Sequence, residues 1–513
     1  MISRSFVPFQ LVSNWFGINS EDAPDNLLDG ELDPSSINVN SDPQGALGSR
    51  AGYTAITSAS IGSVTAWCGF YQFRNNSGTD YFFGAGSDGK LYKYASNTYE
   101  QLYSGLTTGV NVRWAFATLY NMAIAVNGNQ TAFKYTGTGS ATTLGGTLAT
   151  ADWCIEQWRY VFMHSTVDKR LVYYNTTLGD PESGYTSFLN FDMDNFDLTG
   201  VCKQGDDLIF GKAWSLYRVG YTGEEPLFDG PTRIEAKVGP VSFWVMKETP
   251  DGRVIFLGSD FNVYMLYGNT LVPVGDNIKK FLKDGVNARL PYATAGLLQT
   301  KQQYWLSFTY VSTSTTNDRT LVMDYNRPYQ NKWGKLRYPW FIYTIPANCF
   351  AEIYTGGKAY LYHGGYVGKM YYNDSGTNDD GSAFTTTAKS KTYSMGDTTI
   401  EKKYDKIMFS YENKGDWDIT ITTVCDGNAN TQRSFTQNML GGSGYNTLWD
   451  VGLWDVDYWA SETDIDTGRD ISRTGKLIDV TIGATGLNYV WKIYSYTILA
   501  KALRRSLRTR ESS

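Results

Sequence analysis

The nine residues GSDGKLYKY (Gly86 to Tyr94) recur in large part as GSDFNVYML (Gly258 to Leu266). Each copy reads as a turn followed by a short strand carrying an aliphatic–aromatic pair. Looser copies of the pair are Ala132-Phe133, Val172-Tyr173, Leu216-Tyr217, Val322-Met323 and Met370-Tyr371. Successive pairs are roughly 40 to 60 residues apart, within or just above the period of propeller blades. Gly/Asn/Thr/Ser-rich punctuation follows the copies, as in SNTYE, TGTGS and YNDSGTNDDGS. A four-stranded unit cannot bury both faces alone, whereas radial stacking of such units can. The pattern predicts an all-β chain with a divergent six- or seven-bladed β-propeller over residues 53–376.

Composition agrees with many short strands and tight turns. Aromatics reach 15 %, with 38 Tyr, and there are 52 Gly; β-branched and aromatic residues favour strands and Gly favours turns. Period-2 runs fall where blades require them. Val112 to Tyr135 reads as three strands split by a Tyr-Asn and an Asn-Gly turn, the latter a strong hairpin signal. Ala351 to Asp374 is the last clear blade. Asn277 to Leu290 is the best helix candidate, an excursion between blades. After residue 376 the alternation lengthens, and residues 377–503 predict a C-terminal β-sandwich domain with aromatics facing a two-sheet core. Residues 504–513 form a basic C-terminal tail, and residues 1–52, with four prolines and many Asp, Asn, Ser and Gly, an extended N-terminal arm.

Charge and cysteine usage narrow the function classes. A net charge of −6 argues against a general grip on nucleic acid, which needs clustered Lys and Arg. The five cysteines, Cys68, Cys154, Cys202, Cys349 and Cys425, show no CxxC spacing, and the histidines are only His164 and His363. A zinc site is not expected, nor any other cofactor, and reduced core thiols suit a chain made in a cytosol. The first residues lack a continuous apolar run, and no stretch is long enough to predict a membrane span.

Candidate chemistry is weighed against plainer structural roles. Asp88, Asp192, Asp194, Asp197, Asp260 and Asp324 could serve a glycosidase only if two carboxylates converged across a scissile bond. Asp88 and Asp260 occupy equivalent turn positions, where Asp is favoured for local hydrogen bonding. Asp192 to Asp197 and Asp464 to Asp470 alternate acids like partial calcium loops but lack the sixth-position Gly and twelfth-position Glu. His164 and His363 have no nucleophile elbow or Cys neighbour and read as structural. No phosphate-cradling Gly-rich motif is present.

Order within the arm is more informative. Trp15-Phe16-Gly17-Ile18-Asn19 opens it, then Pro24, Leu27, Gly30-Glu31, Asn38-Val39, a turn at Gly45, and Arg50-x-Gly52-Tyr53. This resembles the N-terminus of the tail nozzle proteins of short-tailed bacteriophages, also called packaged-DNA stabilisation or head-completion proteins, in which such an arm leads into a β-propeller. The chain departs from that pattern in having Phe-Gly-Ile where a double Gly is common. The matching stretch, Trp15 to Tyr53, covers under a tenth of the chain. The resemblance implies a structural virion protein and no enzyme: a homo-oligomeric ring, typically a hexamer, on the portal–adaptor ring. Such a nozzle retains packaged DNA, gates its ejection and docks tail needle, spike or fibre proteins, while DNA passes without specific binding. Partner-binding candidates are Trp449, Trp454 and Trp459, in a loop of the kind found in nozzle C-terminal domains, and Arg504, Arg505, Arg508 and Arg510 in the tail. Their plain readings are domain core and a solvated end. Two alternatives stay open: a glycan-binding or glycan-hydrolysing propeller, and a host-side scaffolding propeller.

Overall fold

The computed structural model describes residues 6–503 apart from 12–13, 59, 147, 149, 235, 440–462 and 466–467. Its contacts divide into two units: residues 53–328 with 344–375, and residues 1–52 with 329–343 and 376–513.

The first unit is a seven-bladed propeller. Blade one is the antiparallel sheet Trp67–Arg74, Asp80–Gly86, Lys90–Ala95 and Thr98–Tyr103. Four more four-stranded sheets begin at Ala115–Leu119, Ala151–Gln157, Leu198–Gln204 and Lys247–Glu248. Blade six contributes Thr294–Leu298, Gln303–Phe308 and Arg319–Asp324. Blade seven is Cys349–Thr355, Lys358–Gly364 and Met370–Asn373, completed by Tyr53–Ala55 from ahead of blade one. That antiparallel latch, with Ala55 opposite Tyr371, ties the start of the ring to its end. The first strands of the seven blades touch one another in cyclic order.

All seven sequence pairs fall at the third strand of successive blades, and the first member of each (Leu91, Ala132, Val172, Leu216, Val263, Val322, Met370) is buried almost completely. Apolar burial between sheets drives the repeat, at about 25 cal/mol per Å² removed from water. The 3₁₀ turn Phe243–Val245 ahead of blade five packs across the inner strands. Phe243 stacks on Trp153 of blade three with centroids 5.8 Å apart, and the Trp244 indole N–H donates to Trp114 O of blade two at 3.4 Å. Gly200 lies so near this crossing that a Cβ would stand 2.7 Å from Phe243 Cα.

The helical excursion is shorter than Asn277 to Leu290 suggests: an α-turn at Lys279–Lys283 and a 3₁₀ segment at Asn287–Tyr292. Gly285 and Pro291 interrupt the pattern, and neither sustains a helix interior.

The second unit is a two-sheet sandwich. One sheet orders Val39–Ser41, Leu47–Ser49, Lys492–Ala502, Lys402–Glu412 and Thr463–Ile465, with Val7–Leu11 on Lys492–Ala502 and Arg469–Gly475 on Lys402–Glu412. The other is Phe384–Lys389, Ile478–Gly486, Asp418–Cys425 and Arg433–Asn438. Trp491 joins the two by donating its indole N–H to Thr386 Oγ1 at 2.9 Å. Three strands of the arm are thus members of a sandwich sheet.

Candidate functional site

In the propeller, the turns between second and third strands and the blade-to-blade connections share one face, because the strands alternate in direction. Asp88 and Asp260 lie in such turns, in blades one and five, and Asp194 in the connection from blade three to four. Each accepts a tyrosine hydroxyl from the repeated pair: Tyr92 to Asp88 at 2.6 Å, Tyr264 to Asp260 at 2.7 Å and Tyr217 to Asp194 at 2.7 Å. Asp194 also accepts from Ser215 Oγ at 2.7 Å and from the fully buried Lys212 Nζ at 2.6 Å. Burial pushes the Asp194 carboxyl up, but the donations by Lys212, Ser215 and Tyr217 outweigh it and hold the group well below the usual carboxylate range. These acids stitch turns to strands.

Asp192 accepts from Asn190 at 3.1 Å, Asp197 is exposed, and Asp324 pairs with Arg327 at 3.0 Å. Among the described residues no group of three or more His, Cys, Asp or Glu could hold a metal ion; residues 466–467 of the second acidic run lie outside them. His164 is buried, with Nδ1 2.6 Å from Asp152 Oδ1 and Nε2 3.0 Å from Lys169 O, and its ring stacks on Trp153 at 4.6 Å. His363 Nδ1 lies 2.7 Å from Asn373 Oδ1.

Exposed apolar side chains also lie on this face, in the turns and connection of blades three and four. Val167, Met193, Phe196 and Trp214 are 87, 57, 46 and 44 % exposed. Backbone bonds from Phe191 N to Arg170 O and from Leu198 N to Lys169 O hold the two blade-three segments together, and the Lys212–Asp194 pair ties blade four to them.

In the sandwich unit, the arm residues form a polar lattice. Asn19 is fully buried and donates to Asp22 Oδ2 and Glu31 Oε2, both at 2.9 Å. Glu31, also buried, accepts from Leu28 N at 2.9 Å, Tyr329 Oη at 2.8 Å and Arg337 Nη1 at 3.1 Å. Arg50 makes a bidentate pair with Asp379, 2.8 and 2.6 Å, donates Nε to Asn38 Oδ1 at 2.9 Å, and lies 4.0 Å over the Phe384 ring. Gly17 has φ +80°, and a Cβ there would stand 2.2 Å from Trp340 O. At Gly30, with φ +94°, the clash would be with Asn14 O at 1.9 Å. Only glycine fits either place. The sequence singled out Glu31 and Arg50 by motif; their partners Tyr329, Arg337 and Asp379, roughly 300 residues away in sequence, carried no readable signal. A pocket of about 550 Å³ opens beside this lattice, lined in part by Phe16, Asp25, Leu28, Lys332 and Lys391. Lys391 is paired with Asp29 at 2.9 Å.

The partner-binding candidates Trp449, Trp454, Trp459, Arg504, Arg505, Arg508 and Arg510 lie outside the described residues. Lys501, just before the tail, places Nζ 5.6 Å over the Phe6 ring.

These features define the chain as a β-propeller protein with an appended β-sandwich. No protein-family model matches it, and no curated protein matches it in sequence. Solved structures similar to it are "YCF48 bound to D1 peptide", at 10 % identity and TM-score 0.38, covering 66 % of this chain and 97 % of that one; the "WD40 beta propeller domain of Doa1", at 10 % and 0.39, covering 63 and 96 %; and "BamB from Moraxella catarrhalis", at 10 % and 0.37, covering 72 and 97 %.

Proposed function

We propose that this chain is a structural virion protein: a tail nozzle subunit that extends the portal–adaptor channel of a short-tailed phage, retains packaged DNA and gates its release. The observation that carries this reading is the arm. The residues behind the resemblance sit at committed positions: Gly17 and Gly30 where a side chain does not fit, and Asn19, Glu31, Asn38 and Arg50 buried in polar networks. A flexible leader would need none of them.

Rings arise when one surface of a subunit fits a different surface of the next and the rotation closes. In a hexameric nozzle the DNA path is the axis of that ring and does not run through the propeller of any one subunit. A mildly acidic wall lets DNA slide, because phosphate contacts would act as a brake. The exposed Val167, Met193, Phe196 and Trp214 offer a contact for needle, spike or fibre proteins. Trp449, Trp454, Trp459, Arg504, Arg505, Arg508 and Arg510 remain the residues assigned to subunit or adaptor docking. No catalysis is proposed: Asp88, Asp194 and Asp260 are each claimed by a tyrosine, which counts against a hydrolytic pair for glycans.

Electron microscopy of the purified protein, alone and with a candidate portal–adaptor complex, tests the reading. Closed rings, or rings that form only on the adaptor, are expected. A monomer that ignores the adaptor would overturn it.

A further inference from the structure

Two arginines meet near the middle of the propeller's connection face without an acid between them. Arg113, just ahead of blade two, is 5 % exposed. Its Nη2 donates to Tyr292 O at 2.5 Å, while Nε and Nη1 are buried with no hydrogen-bond partner. Arg289, just ahead of blade six, is near enough to repel it. Arg289 donates Nε to Thr309 Oγ1 at 3.0 Å and Nη2 to Asn111 Oδ1 at 3.3 Å, and lies over the Tyr292 ring at 5.0 Å. No carboxylate among the described residues pairs with either guanidinium.

The surrounding groups are neutral and already engaged. Tyr366 donates to Asn348 Oδ1 at 3.1 Å and accepts from Asn317 N at 2.9 Å. Asn317 Nδ2 donates to Tyr292 O at 3.2 Å and Ala347 O at 3.0 Å; Asn348 Nδ2 donates to Trp67 O at 2.8 Å and Val110 O at 3.1 Å. The Cys68 and Cys349 thiols nearby are pushed up to about 12 by burial, so neither supplies a thiolate at neutral pH. Arginine does not shed its proton in proteins. An unpaired buried charge is strongly destabilising, and each of its unsatisfied N–H groups adds to the cost. Two cations, unused N–H groups and no counter-charge call for an anion.

We propose that Arg113 and Arg289 hold a small inorganic anion, a halide or phosphate-type oxyanion, on the connection face of the propeller. Arg289 is half-buried and Asn111 exposed, so the anion arrives from solvent on their side. Once bound it cancels the repulsion between blades two and six, a role independent of the nozzle reading.

Thermal unfolding in sodium chloride and in sodium phosphate, each against sodium gluconate at equal ionic strength, tests the site. The wild-type midpoint is expected to rise saturably with chloride or phosphate. Arg113→Met should abolish that rise. Arg289→Gln, at a partly exposed position that does not threaten folding, should weaken half-saturation by about 10-fold, the worth of one charge-assisted contact. Midpoints equal in all three salts, or an identical rise in wild type and Arg289→Gln, would overturn the proposal and leave buried water as the partner of Arg113.

Discussion

Tyr92 donates its hydroxyl to Asp88 Oδ2 at 2.6 Å from four residues further along the same turn and strand. Tyr264 does the same to Asp260 at 2.7 Å. The aromatic of the repeat therefore has two functions: its ring fills the space between blades, and its hydroxyl fastens the turn that precedes it. Losing the hydroxyl alone should cost the net worth of one hydrogen bond to a charged group, about 1.5 kcal/mol. Tyr264→Phe is expected to lower the unfolding midpoint by about 3 °C by calorimetry. Asp260→Ala should cost more, since it leaves the Tyr264 hydroxyl and Lys279 without their shared acceptor.

The Lys212–Asp194 pair sets an acid limit. Lys212 is fully buried at 2.6 Å from Asp194, so removing the carboxylate strands a charge in the interior. Asp194→Asn should destabilise the propeller by about 3 kcal/mol, read by denaturant unfolding. The folded carboxyl lies below its unfolded value of 3.8, so its contribution is fully present above that value and is lost as pH falls towards the folded one. Wild type should lose stability steeply below about pH 4, and Asp194→Asn should show a shallower acid limb.

Arg50 and Asp379 make the corresponding test in the sandwich unit. The guanidinium uses its fork, its Nε and its flat face at once, on Asp379, Asn38 and Phe384. Lysine can copy only the charge. Arg50→Lys is expected to cost about 3 kcal/mol and to open the arm to limited proteolysis between residues 14 and 52, with Asp379→Asn similar. An arm as resistant as wild type in both variants would mean that the pair does not hold it.

How far the fold could be read from the chain depends on the range of each signal. The aliphatic–aromatic pair is local and repeated, so every copy legible in the sequence lies at the third strand of a blade. The closing strand Tyr53–Ala55 has three residues and no alternation to detect; its identity follows only from pairing with Met370–Asn373. Strands Val39–Ser41 and Leu47–Ser49 are equally short, and the turn-rich sequence between them masks that they extend a sandwich sheet. Asp88 and Asp260 were legible as turn acids because their partner sits four residues away. Arg113 was not legible at all: its isolation is defined by residues from blades one, six and seven, which only the closed ring brings together.

Burial of weak acids sets an alkaline limit that separates this fold from a loosely packed one. All five cysteines are buried, and burial pushes the Cys68, Cys202, Cys349 and Cys425 thiols up to about 12. Burial likewise pushes the Tyr71, Tyr135, Tyr325 and Tyr496 phenols up to about 12. Each folded value lies above its unfolded one, 9.0 for the thiols and 10.0 for the phenols. Their contribution is therefore complete below those values and lost as pH rises through them towards the folded values. Native protein at pH 8 should leave a disulfide reagent such as Ellman's almost unreacted, then release five equivalents per chain in denaturant. On alkaline titration followed by tyrosinate absorbance, these phenols should stay silent past pH 10 and ionise together as the fold collapses. Prompt reaction of several thiols in the native state, or gradual phenol ionisation without unfolding, would show that the propeller and sandwich cores are not packed as described.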